Sequence, residues 1–207
     1  MVTAGAAGGA ASLRRWVQYS QGGGTMTDFR QYLLDEFDPR GAVRVRGVTY
    51  TDLLLNYDAY NQQLVLSFKN NVGSNSLLVL SEAWLESFEL GGCNFILMPD
   101  ADTTKRIYQV LGEGNEKILY YQTRDLLLDN FKNGGMHYFS DLRRSKFVLQ
   151  NGKIISFKNN RGFIRTFDPS KQDKIKKYMH LNKVNVKKAD DHSMTGLINY
   201  CSSLNKP

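Results

Sequence analysis

The spacing of apolar residues changes twice along this chain. Near the start, Phe29, Tyr32, Leu33 and Phe37 recur at three- and four-residue intervals, behind Thr27 and Asp28 as possible caps. This spacing predicts a short helix, ended by the turn chemistry of Asp38-Pro39-Arg40-Gly41. From about 42 to 157 the period becomes two. Val43 and Val45 alternate with Arg44 and Arg46, Val48–Tyr57 is rich in leucine, β-branched and aromatic residues, and Leu64, Leu66 and Phe68 alternate again. Lys69–Ser76 reads as a polar loop and Leu77–Leu80 as a short strand. Hairpins are predicted at Gly91-Gly92, between Phe88–Leu90 and Cys93–Met98, and at Gly112–Asn115, between Ile107–Leu111 and Lys117–Arg124. The strongest hairpin signal is Asn151-Gly152, because a tight primed turn needs positive φ at both central residues.

After residue 157 the pattern returns to helix. Asn159–Phe167 predicts a turn or two, with Phe163, Ile164 and Phe167 inward. Asp168-Pro169 reads as an N-cap and first helical residue, opening a helix to about Leu181 that buries Ile175, Tyr178 and Met179. A last helix from Asp190-Asp191 buries Met194, Leu197, Ile198 and Cys201, after the extended connector Val184-Asn185-Val186. No crossover helix separates the strands. The expected class is α+β, mainly β: an antiparallel up-and-down meander, as a twisted sheet or partly closed barrel, with a C-terminal helical subdomain. The expected division is 1–25 as a Gly/Ala-rich flexible leader, 26–157 as the short helix plus β-meander domain, and 158–207 as a basic helical subdomain packed on it.

Charge adds one feature. The 207 residues carry 27 Lys+Arg and 20 Asp+Glu, a formal +7. Residues 151–207 hold ten Lys, two Arg and four Asp, a net +8, so the remainder is −1. Lys171, Lys174 and Lys177 on the predicted helix, with Lys187-Lys188 after it, form a candidate anion-binding face; a solvated helix face is the plainer reading. Most aromatics belong to the sheet region instead, which argues against nucleic acid as the partner. Apolar runs are too short for a transmembrane helix, and the leader lacks the apolar stretch of a signal peptide. Cys93 and Cys201 follow no zinc spacing, and the sequence leaves open whether they pair.

No catalytic, cofactor or metal constellation emerges. The three histidines, His137, His180 and His192, lie in no nucleophile signature, and His192 is nine residues from Cys201 on the predicted last helix. Asp100, Asp102 and Thr104 begin like a calcium loop, but Lys105 stands where glycine belongs and Leu111 where glutamate belongs. Gly112-Glu113-Gly114 precedes a strand rather than a helix, so it reads as a turn and not a phosphate cradle. Tyr50, Tyr57, Tyr60, Tyr108, Tyr120 and Tyr121 suit a ligand cleft or, more simply, a core.

Several segments together resemble a known group. They are Gly47–Tyr50 with Leu53–Phe68 (LLLNYDAYNQQLVLSF), Phe88–Met98 (FELGGCNFILM), Ile107–Tyr121 (IYQVLGEGNEKILYY), the Phe147–Phe157 hairpin and the Phe163–Leu204 tail. The chain resembles the exported β-rich proteins of Bacteroidetes for which no activity is established. The group's usual Y-E-G turn stands here as Gly112-Glu113-Gly114, and its signal peptide has no counterpart in the leader. The resemblance implies a periplasmic or outer-membrane-associated location, and another cell-envelope protein as partner. It carries over no catalytic residue and no cofactor. The expected function is a non-enzymatic cell-envelope binding or assembly protein. The alternatives are a carrier of a small apolar ligand in a β-barrel cleft, and binding of anionic lipid or nucleic acid through the lysine face. A hydrolase would require His137 or His180 beside a Ser or Cys.

Overall fold

The computed structural model describes residues 31–100, 102–129 and 136–204, with the side chains of 129, 136 and 137 left aside. The leader at 1–25, and Thr27, Asp28 and Phe29, lie outside the described residues. The chain forms two compact units, residues up to 98 with 122–143, and 99–121 with 144 onward. The class is mainly β and antiparallel, with up-and-down strands and helices near the C-terminus.

In the first unit, strands β1 (Asp38–Val45), β2 (Val48–Asp58), β3 (Gln63–Lys69), β4 (Asn75–Val79), β5 (Leu85–Leu90) and β6 (Cys93–Pro99) lie in the order β6-β5-β1-β2-β3-β4. The order does not close on itself. Alternation decides the faces, as in β5, where Leu85, Phe88 and Leu90 are buried and Glu86 and Glu89 exposed. Tyr57, Phe88 and Phe95 meet in the core, the last two stacked with ring centroids 4.6 Å apart. The turn over residues 58–61 is built by the buried Asp58, whose Oδ1 accepts from the Tyr60 and Asn61 N–H groups at 3.0 and 2.8 Å.

Two expectations near the start are corrected. Residues 31–37 form no α-helix: Tyr32 bridges Asp58, the Leu33 N–H donates to Tyr57 O at 2.8 Å, and the Ala59 N–H donates to Gln31 O at 2.9 Å. Tertiary pairing wins over a weak helical period because the buried Asn56 amide also accepts from the Leu34 N–H and donates to the Leu34 and Glu36 carbonyls. Asp38–Gly41 does not end an element but begins β1, with two register shifts against β2. Gly41 is required there, since a Cβ would lie 2.7 Å from Leu55 Cδ1 and 2.9 Å from Leu53 O.

A separate two-stranded ribbon, β9 (Leu126–Asp129) with β10 (Met136–Phe139), also belongs to the first unit and was not expected. Three consecutive leucines, Leu126–Leu128, do not alternate, and all three are exposed.

In the second unit, β7 (Lys105–Leu111), β8 (Lys117–Thr123), β11 (Arg143–Gln150) and β12 (Lys153–Ser156) lie in the order β7-β8-β11-β12, again without closure. The Asn151-Gly152 turn has φ of 49° and 73°, as its sequence predicts. Helices α1 (Asn160–Arg165), α2 (Pro169–Leu181) and α3 (Asp191–Ser203) follow, capped by Asn159, Asp168 and Asp190. Their apolar faces share one core with the strands: Ile118, Tyr120, Val148, Phe163, Ile175, Met194, Leu197 and Ile198 are all fully buried there. Each such side chain contributes roughly 1.5–3 kcal/mol. Tyr178 stays half-buried, stacked on Tyr200 with centroids 4.2 Å apart.

Candidate anion-binding cleft

The second unit contains an open cleft of about 910 Å³, whose walls come from α1, α2 and the start of the connector after α2. Periodicity places the lining. Arg161 and Arg165 are one turn apart on α1, as are Lys176 and His180 on α2, so each pair shares a helix face. All four are exposed, whereas Met179 and Val184 in the same wall are buried and Ile164 is half-buried. The cleft therefore has a cationic mouth over an aliphatic base.

The end of α2 completes it. The Val184 N–H donates to Met179 O at 2.9 Å and the Lys183 N–H to His180 O at 3.3 Å, a Schellman arrangement. Its left-handed position, usually glycine, is held by Lys183 at φ 54°. The strained backbone turns this fourth cation into the cleft lining.

Arg161, Arg165, Lys176 and Lys183 have no ion-pair partner among the described residues. One acid, Asp173, lines the cleft with them. The other polar liners are already engaged: Asn160 Oδ1 accepts from the Val186 N–H at 2.9 Å, and Gln172 Nε2 donates to Phe167 O at 2.9 Å. The charged groups of the lining are mainly cationic, which suits a carboxylate or phosphate.

Of the lysines singled out by sequence, Lys174 and Lys177 are exposed on α2 and Lys171 is half-buried on it; none of them lines the cleft. Lys187 and Lys188 are exposed on the connector. Lys187 joins Arg144, Lys146 and Lys158 around a smaller groove of about 400 Å³. There the Lys146 ammonium donates to Val186 O, and burial, aided by nearby Arg144, lowers its pKa. Sequence reasoning missed Arg161, Arg165, Lys176 and Lys183 as candidates. The four-residue spacing of the two arginines was the available signal.

Other candidates resolve into structural roles. Asp100 and Asp102 both pair with Arg106, and Asp102 Oδ1 accepts from the Thr104 N–H at 3.0 Å, so a guanidinium occupies the place of a cation. Tyr57, Tyr108 and Tyr120 are at most 1% exposed; Tyr57 packs on Phe88 and Phe95, Tyr108 on Tyr121 and Phe147, and Tyr120 belongs to the core shared with the helices. Both cysteines are free thiols, and burial, followed by Glu116, pushes Cys201 up to about 12, far from a reactive thiolate. His180 faces a cleft whose lining includes no Ser or Cys. The His137 side chain lies outside the described set. No helix among the described residues is long and apolar enough to cross a membrane.

The chain matches no protein-family model, no curated protein and no solved structure.

Proposed function

We propose that this is a non-enzymatic binding protein of the cell envelope, whose basic C-terminal helices hold an anionic partner. One observation carries the reading: four cations, Arg161, Arg165, Lys176 and Lys183, surround one cleft with no ion pair among the described residues. Like charges gathered without counterions cost stability unless something outside the chain neutralises them. The envelope location rests on the resemblance to exported Bacteroidetes proteins.

The test uses heparin as polyanion and phosphatidylglycerol vesicles as an envelope-like surface. Binding is expected at low salt and should weaken steeply as salt rises. A variant carrying R161Q, R165Q, K176Q and K183Q should lose most of it. K174Q, K177Q, K187Q and K188Q together remove the same charge and should lose much less. The reverse order would transfer the role to the lysine face. Absence of binding at low salt ends the proposal, and so does a turnover activity abolished by one point substitution.

A further inference from the structure

Resting on the anion-binding reading, we infer that the cleft between α1 and α2 holds one single-chain anionic amphiphile. Its phosphate or carboxylate head sits at the cationic mouth and its aliphatic chain on Ile164, Met179 and Val184.

Four features favour this occupant over others. At about 910 Å³ the cleft matches the size of small-molecule sites and far exceeds a lone phosphate. Its base is aliphatic: the lining contains Ile164, Met179 and Val184 and no Phe, Tyr or Trp, so a nucleobase finds no aromatic platform. Methionine and branched aliphatics instead adapt well to a methylene chain. Of the polar liners that could discriminate a sugar, Asn160 and Gln172 each have one end of the amide already bonded to the Val186 and Phe167 backbone, which leaves few groups for hydroxyl recognition. The charge sits at the mouth. Arg161, Arg165, Lys176 and Lys183 against Asp173 leave an excess of three positive charges, enough for a doubly charged head.

Calorimetric titration of the full chain with decyl phosphate, below its micelle concentration, tests this. Saturation is expected at one molecule per chain. Inorganic phosphate, which lacks the chain, and decyl maltoside, which lacks the charge, should each bind at least tenfold more weakly. R161Q with R165Q should weaken decyl phosphate and heparin together. I164A should weaken decyl phosphate several-fold and heparin much less. Because Ile164 is half-buried against the core, the circular dichroism spectrum and a cooperative thermal melt show that this variant is folded. Equal affinity for phosphate and decyl phosphate overturns the inference, as does equal affinity for the maltoside. If heparin binds and decyl phosphate does not saturate, the amphiphile is wrong and the anionic partner stands. If neither binds, both readings fall.

Discussion

Gln109 and Asp191, 82 positions apart in the chain, are joined by a hydrogen bond of 2.7 Å from Nε2 to Oδ2. Gln109 is 1% exposed, so the bond ties the start of α3 to buried β7. The other oxygen of Asp191 accepts from Arg144 Nη1 at 2.9 Å, in a pair whose side chains are 39% and 32% exposed. The two partners therefore differ in worth. D191A should cost about 2 kcal/mol, chiefly because a buried amide loses its acceptor. R144A should cost less than about 1 kcal/mol, as half-exposed ion pairs do. Urea unfolding of both variants and of the double variant checks this; equal single costs would count against it.

The cation at the end of α2 opposes stability. Lys183 occupies the left-handed position of the Schellman turn, where a side chain is strained. K183G should raise stability by about 1 kcal/mol and weaken heparin binding. Thermal unfolding and binding are measured on the same preparation. A variant that neither gains stability nor loses affinity refutes the assignment.

Close approach makes two turn glycines costly to replace. A Cβ on Gly112, at φ 96°, would lie 2.6 Å from Ile198 Cγ2, and one on Gly114 would lie 2.4 Å from Ser202 Cβ. Both substitutions to Ala push the β7–β8 hairpin off α3, where the Glu113 N–H donates to Asn199 Oδ1 at 3.0 Å. Each should cost about 2–3 kcal/mol. A Cβ on Gly152, at φ 73°, would meet nothing within 4 Å, so G152A should cost only about 1 kcal/mol of backbone strain. Melting temperatures of the three alanine variants should follow that order.

Alkaline pH should weaken the fold through Cys201. Burial raises its pKa from an ordinary 9.0 to about 12, so the folded state keeps a proton that the unfolded chain releases. Its contribution is complete below pH 9 and declines as pH rises toward 12, by at most about 1.4 kcal/mol per pH unit. Burial moves Tyr120 in the same direction. Comparing urea midpoints at pH 8 and 10.5, the loss should be smaller for C201A than for the parent. Identical losses would contradict it. Thiol labelling should find half-buried Cys93 first, and Cys201 only on unfolding.

Local chemistry makes much of this fold readable. Asn151-Gly152, Gly91-Gly92 and Asp168-Pro169 each fix backbone angles with few residues, and each appears where expected. Residues 31–37 escape such a reading because their structure depends on Asn56, about 20 positions away. The β9–β10 ribbon escapes it because Leu126–Leu128 lacks a strand's alternation. The cleft is half legible. Lysine enrichment points to the right region, but only the packing of α1 on α2 brings Arg161 and Arg165 beside Lys176. The helical wheel of α2 alone selects Lys171, Lys174 and Lys177 instead.

The unpaired cations of the cleft also give ionic strength two opposite effects. Dissolved ions shield Arg161, Arg165, Lys176 and Lys183 from one another, which relieves the helices that carry them. The same shielding loosens any anion seated among them. Added salt should thus firm the protein while weakening anion binding, and an anion seated there would bridge two helices whose cations repel one another.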